Sequence, residues 1–241
     1  GLTYWFDDKR KTAFCLVEAP NEQAIRDMHD NAHGQIPHSI IEVDAGVVES
    51  FLGRIEDPKK NQDSTLNIID DPAFRTIMVI AKEASFLQNG EIGDLSGLLK
   101  SYYEAIRLLI NHYSGRIVKE NEDHLLVSFE SVSGAVSAAL AINFKTHEPE
   151  FDKISLKMGL SAGLPVTEKK SIFEDTINLA KRICAVIPGE LIVSADVAAL
   201  CSSEDLDALH KAGDSVLLAI DEESFITQLM DFMDSAWADS E

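Results

Sequence analysis

Apolar and polar positions along the chain predict two groups of secondary-structure elements. The longer group begins with a buried strand at residues 74–80 and an amphipathic helix at residues 95–114, which Gly115 ends. Its later elements are two strands around an acidic turn, a helix with Ser131 as cap, a strand, a helix and a strand, at residues 115–129, 132–145, 154–162, 173–186 and 191–193. The order βαββαβ is the ferredoxin-like pattern, and an αβ pair follows it. We place this domain at residues 73–201.

The shorter group of elements occupies residues 1–56. It comprises a hairpin around a polar turn, a helix and a third short strand, at residues 3–7 with 12–18, 21–32 and 40–43. Asn21 is the expected cap at the start of the helix, and Gly34 lies just past its end. A three-stranded sheet with one helix leaves one face poorly covered, so we expect a further segment to pair with this unit.

Two other segments complete the predicted organisation. Residues 57–72 are polar, with a proline near each end, and indicate a linker. Residues 202–241 predict a last strand at 215–220 and a helix at 222–241, which Asp221 caps. The apolar stripe of that helix, typical of a terminal packing helix, consists of Phe225, Leu229, Phe232 and Met233.

Composition and charge narrow the expected partners. Of the 241 residues, 45% are hydrophobic and 26% charged, as in ordinary globular proteins, and no apolar run approaches bilayer length. Cys15, Cys184 and Cys201 are not spaced as a zinc site, which favours a reduced, cytoplasmic location. The net charge of −20 argues against direct binding of nucleic acid or anionic membranes by this chain.

Four polar residues suit a nucleoside triphosphate. Asn178 and Arg182 are four residues apart on one face of a predicted helix, and Lys119 and Asp123 bracket the acidic turn. Asn can hold a ribose, Arg can meet phosphate charge, and Asp can hold a metal ion. The alternative is that Asn178 and Arg182 are ordinary surface groups.

Three histidines suggest a transition-metal site. His29 and His33 lie one helical turn apart, and His38 follows in a short loop. Such imidazoles can bind nickel, copper or zinc. The alternative is a solvated helix end whose histidines interact with the C-terminal helix dipole.

The run FCLVEAPNEQAIRDMHDNAHGQIPHSIIEVD, at residues 14–44, resembles the second half of a small ferredoxin-like family whose characterised member binds nickel. The resemblance implies Ni²⁺ as a cofactor of the first unit. It also implies a strand and helix before residue 1, so we expect the chain to begin inside that domain. The predicted fold class is therefore α+β, with two ferredoxin-like units.

Four further stretches resemble class III nucleotidyl cyclase homology domains. They are RTIMVIAKEASF, GRIVKENEDHLLVSFESVSGAVSAALAI, LKMGLSAGLPV and DTINLAKRICAVIPGELIVSADV. The resemblance implies a homodimer and Mg²⁺ or Mn²⁺ bound with a nucleotide. It implies that Asp123 holds metal and Lys119 helps select the base. It further implies that Asn178 holds the ribose and Arg182 the phosphate.

The first metal-binding aspartate of the family falls on Ala81. Two-metal phosphoryl chemistry needs ions at both the attacking and the leaving oxygen, and losing a ligand costs about 3 kcal/mol or more, on the order of a hundredfold in rate. We therefore expect a non-catalytic sensory or dimerisation module of a signalling or transcription regulator, binding a nucleotide or another small ligand. The alternative is a divergent cyclase that converts ATP or GTP to a cyclic nucleotide and pyrophosphate, with Glu83 or Glu120 as substitute ligand.

Other positions also depart from the family pattern. Glu122 and His124 replace the glycines that flank the second aspartate, and the base-selecting partner position near Ser171 carries a hydroxyl. The predicted helix at residues 222–241 resembles the lead-in helix of AraC-type transcription regulators. That resemblance implies a DNA-binding domain beyond residue 241, which would reconcile the acidic chain with a DNA-linked role.

Overall fold

A computed structural model gives the structure of the protein in two compact units. The residues that it describes are 3–33, 37, 39–57, 71–82, 92–122, 124–151, 154, 156–167, 170–186 and 190–220. One unit comprises Gly1–Phe74 with Leu164–Asp175, and the other comprises Arg75–Gly163 with Thr176–Glu241. Most of the predicted linker, all of the predicted C-terminal helix, and Glu83 lie outside the described residues.

The first unit contains the predicted hairpin and helix. Strands β1 (Thr3–Asp7) and β2 (Thr12–Leu16) pair antiparallel. Asp7 closes the turn, because its carboxylate accepts hydrogen bonds from the backbone N–H groups of the following residues. Helix α1 (Glu22–His33) starts as predicted, since the side-chain oxygen of Asn21 accepts a 2.9 Å hydrogen bond from the Ala24 backbone.

The third strand predicted at residues 40–43 is wrong. These residues form no strand, and the chain continues into a helix, α2 (Ala45–Leu52), which the sequence analysis did not predict. Asp44 caps α2 through the Val47 backbone N–H, and Val48, Phe51 and Leu52 are buried at helical spacing. The sheet described in this unit is therefore the two-stranded hairpin.

The second unit is built on a six-stranded sheet. Its strands are β3 (Arg75–Lys82), β4 (Arg116–Glu120), β5 (His124–Phe129), β6 (Leu156–Gly163), β7 (Leu191–Ser194) and β8 (Val216–Ile220). The spatial order is β4-β5-β3-β6-β7-β8, with β3 antiparallel to both neighbours and β6, β7 and β8 parallel. The first four strands have the order and directions of a ferredoxin-like sheet, so the predicted α+β class is confirmed.

Five helices accompany this sheet in the described residues. They are α3 (Ile92–His112), α4 (Val132–Thr146), α5 (Glu174–Val186), α6 (Ala195–Leu200) and α7 (Ser203–Lys211). The first three were predicted to within a few residues, including Ser131 as the cap of α4. Helices α6 and α7 were missed, although Ser194 and Ser202 cap them and Ser202 forms a capping box with Asp205. Across the described part of the chain, no helix has both the length and the apolar character needed to cross a bilayer.

Helix α5 lies unusually close to strand β6. A Cβ atom at Gly159 would collide with the carbonyl oxygen of Ala180, and one at Gly163 would collide with the hydroxyl of Thr176. The Cys184 thiol donates to the carbonyl oxygen of Lys157 at 3.3 Å. Glycine at both strand positions therefore sets the distance between α5 and the sheet.

Candidate functional site

The expected metal position lies at the edge of the six-stranded sheet where β3 ends and β5 begins. Ala81, near the end of β3, is paired directly with His124 on β5 and with Lys157 on β6. Residues directly opposite in antiparallel strands lie about 4.5–5.5 Å apart at their Cα atoms and project from the same face. We call this group, with Lys119 of β4, the Ala81 edge.

The face that carries the Ala81 side chain is the face covered by α5. Gly159 is two residues after Lys157, so both project to the same side of β6, and α5 packs directly over Gly159. Lys119 belongs to this face as well, because it pairs with Leu126, which pairs with Val79. Lys119 is exposed, whereas Lys157 is half-buried.

Glu120 lies on the other face of the sheet. It pairs with Leu125, which pairs with Ile80, the residue that precedes Ala81 on the opposite side of β3. Its carboxylate accepts a hydrogen bond from the guanidinium of Arg107 on α3. Glu120 is therefore badly placed to replace a metal ligand at Ala81.

The tight turn beside this edge is closed by Asn121. Its side-chain oxygen accepts a 2.8 Å hydrogen bond from the His124 backbone N–H, and its own N–H donates to the His124 carbonyl oxygen at 3.1 Å. This arrangement lets the turn form without the glycines expected from the family pattern. Asp123, the predicted metal ligand in the turn, lies outside the described residues.

Asn178 and Arg182 lie on the outer side of α5. The buried residues Thr176, Ala180, Ile183 and Cys184 mark the side of the helix that faces the sheet. At about 100° per residue, Asn178 and Arg182 lie on the opposite side, and both are exposed. The predicted pair does share one face of the helix, but within one chain it points away from the sheet that carries the Ala81 edge.

The residues at the Ala81 edge do not fit a two-metal centre. The methyl group of Ala81 has no atom that can bind a metal, and its two direct neighbours across the strands carry an imidazole and an ammonium group. Where the chain is described, no three His, Cys, Asp or Glu residues come together in a way that could hold a metal ion. The sequence analysis missed Lys157, although its spacing from Gly159 places both residues on one face of a strand.

The histidine site predicted in the first unit is only partly visible. His29 is half-buried on α1. The side chain of His33 and the whole of His38 lie outside the described residues. The nickel site therefore stays a prediction.

Comparisons with known proteins agree with two of the three resemblances, those to the nickel-binding family and to the cyclases, and the resemblance to AraC-type regulators stays a prediction. The family described as "Nickel responsive protein SCO4226-like" matches residues 1–43. "Putative adenylate cyclase 3" of Rhizobium meliloti (strain 1021) is 31% identical over 103 residues, which are 40% of this chain and 18% of that protein. The chain thus spans about a fifth of the length of this curated relative.

Solved cyclase structures are also similar. A bacterial light-regulated adenylyl cyclase has a TM-score of 0.45 at 20% identity, covering 55% of this chain and 46% of that chain. Adenylate cyclases from Trypanosoma brucei have a TM-score of 0.48 at 18% identity, covering 62% of this chain and 84% of theirs. An adenylate/guanylate cyclase/hydrolase from Silicibacter pomeroyi has a TM-score of 0.42 at 28% identity, covering 52% of this chain and 79% of that chain. Part of the chain is therefore similar in sequence to an adenylate cyclase, and its second unit has the mixed α+β fold class of the similar cyclase structures.

Proposed function

We propose that this chain is a non-catalytic sensory and dimerisation module that binds a nucleotide through its cyclase-like domain. The observation that carries the proposal is Ala81, which puts a methyl group where two-metal chemistry needs a carboxylate. Glu120 faces the other side of the sheet and is engaged by Arg107, which argues against a substitute ligand there. Retained Lys119, Asn178 and Arg182 supply groups for the base, ribose and phosphate.

Homodimerisation belongs to the same proposal. Asn178 and Arg182 are exposed on the side of α5 that points away from its own sheet. A ligand that contacts this pair and the Ala81 edge together would be held between two copies of the chain. We expect analytical ultracentrifugation to detect a dimer, and we expect added nucleotide to lower its dissociation constant.

Metal binding by the first unit is the second part of the sensory role. The match of residues 1–43 to a nickel-responsive family supports Ni²⁺ as its ligand. His29, His33 and His38 are the candidate ligands. Equilibrium dialysis with Ni²⁺ tests this, and a triple His→Ala variant that binds as much nickel as the wild type would refute the assignment.

Cyclic nucleotide production by the purified chain tests the non-catalytic assignment. The assay uses Mn²⁺ with ATP or GTP, and compares the wild type with Ala81→Asp and with Ala81→Asn, which has nearly the same shape but no charge. We expect no product from the wild type or from Ala81→Asn. Product from Ala81→Asp alone would mean that the pocket lacks only its metal ligand, and turnover by the wild type would refute the proposal.

A divergent cyclase is the alternative function. The similarity to "Putative adenylate cyclase 3" and the retention of Lys119, Asn178 and Arg182 favour it. In this alternative Glu83 would supply the missing carboxylate. Turnover that Glu83→Gln abolishes, and that a matched Glu49→Gln change on α2 leaves intact, would establish it.

A further inference from the structure

On the face of the sheet that α5 covers, the ionisable side chains of the strands are basic. The ionisable residues that β3, β4, β5 and β6 place on this face, among those the structure describes, are Arg75, Arg116, Lys119, His124 and Lys157. Arg75 and Arg116 lie at the far end, where both approach Glu130. Of the other three, His124 and Lys157 flank Ala81, and Lys119 lies two strands away from β3 at the level of Val79.

This arrangement contrasts with the rest of the chain. The net charge is −20, so the average surface repels anions. A local group of two lysines and a histidine, all within one or two strands of Ala81, gives an anion a favourable place to bind on an otherwise unfavourable molecule. Lysine and imidazole N–H groups also donate hydrogen bonds to phosphate oxygens.

We propose that the Ala81 edge binds the polyphosphate part of a nucleotide without a divalent cation. Lys119 and Lys157 supply the positive charge that a metal ion would otherwise provide, and the imidazole of His124 can donate a hydrogen bond. In this arrangement Lys119 meets phosphate instead of the base. An aspartate at position 81 would sit directly between His124 and Lys157 and would weaken this anion site. The inference rests on the proposed nucleotide-binding role and specifies how that site neutralises phosphate charge.

Calorimetric titration of the full chain tests the inference, with ATP, GTP, inorganic tripolyphosphate and adenosine as probes. Each titration is run in EDTA and again with Mg²⁺. We expect ATP and tripolyphosphate to bind in EDTA with affinities within about threefold of those with Mg²⁺, and adenosine to bind far more weakly. Such a result would show that phosphate charge is met by side chains.

Variants locate the site. Lys157→Gln should weaken ATP binding in EDTA about tenfold or more, because it removes a charge-assisted contact, and Lys157→Arg should restore most of it. Ala81→Asp should also weaken binding in EDTA. Lys100→Gln, an exposed lysine on α3, is the matched control and should change nothing. Lys119→Gln provides an exposed second position in case the half-buried Lys157 variants do not fold.

The outcomes separate this inference from the proposed function. Nucleotide binding that requires Mg²⁺ would overturn the metal-free site and leave a nucleotide-binding module standing. Binding in EDTA that neither Lys157→Gln nor Lys119→Gln reduces would overturn the assignment to the Ala81 edge. A chain that binds no probe under either condition would overturn the nucleotide-binding role as well.

Discussion

Replacing Gly159 by alanine should destabilise the second unit by forcing α5 away from β6. The added Cβ would collide with the Ala180 carbonyl oxygen and lie 3.1 Å from both Cys184 Cβ and Ile183 Cγ1. A backbone oxygen inside a helix cannot turn aside as a side chain can. Relief therefore requires the whole helix to shift.

The expected cost follows from the severity of this overlap. Overpacking a well-packed interior typically costs about 1–3 kcal/mol, and a contact with backbone belongs in the upper part of that range. For a domain of this size, about 2 kcal/mol corresponds to a fall in Tm of roughly 4–8 °C. Because α5 carries Asn178 and Arg182, nucleotide affinity should fall together with stability.

Thermal unfolding followed by circular dichroism measures the effect. The matched control is Gly97→Ala on α3, where an added Cβ meets nothing within 4 Å. Since alanine favours helix over glycine, that change should raise stability by about 0.5–1 kcal/mol. A Gly159→Ala variant as stable as the wild type, or stabilised like Gly97→Ala, would refute the close packing of α5 on β6.

Two further predictions concern buried polar groups. Burial raises the pKa of Asp205, but hydrogen bonds from Ser133 and Ser202 outweigh it and hold the pKa below its ordinary value. Asp205→Ala should therefore cost about 1–2 kcal/mol at neutral pH, and urea titrations should show the difference from the wild type shrinking as pH falls below about 4. Burial raises the pKa of Tyr102 to about 12, and its hydroxyl lies 2.5 Å from that of Thr146. Tyr102→Phe should cost about 1 kcal/mol, and stability should fall less in the variant than in the wild type as pH rises from about 10 toward 12. Part of the decline remains in both proteins, because burial also raises the pKa of Tyr103 to about 12. A pH-independent difference from the wild type would contradict the assigned hydrogen bonds of Asp205 in the first case and the burial of the Tyr102 hydroxyl in the second.

Local patterns account for the elements that were predicted correctly. The hairpin around Asp7, the helix after Asn21 and the Ala-rich helix after Ser131 each carry their own turn or cap within a few residues. The strand predicted at residues 40–43 failed because a short apolar β-branched run forms a strand only when it finds a partner. The described residues of the first unit pair only β1 with β2.

Some features of the candidate site could also be predicted from the sequence, and others could not. The resemblance of its motifs to a known family identified Ala81, Lys119, Asn178 and Arg182, since residue types and spacing are properties of the sequence. Neither spacing nor periodicity showed that Asn178 and Arg182 point away from their own sheet. That depends on which side of α5 packs against Gly159.

The amino-acid sequence by itself thus determined the order of the ferredoxin-like elements in the second unit, the caps Asn21 and Ser131, and the alanine at position 81 where the resembled family has an aspartate. Only the tertiary structure decided what surrounds that position. Lys157 lies 76 residues after Ala81 in the chain and becomes its neighbour through the register between β3 and β6. Moving that register by one residue would send Lys157 to the other face, because side chains alternate along a strand. The charge at the candidate site is therefore a property of strand pairing, which no local pattern specifies.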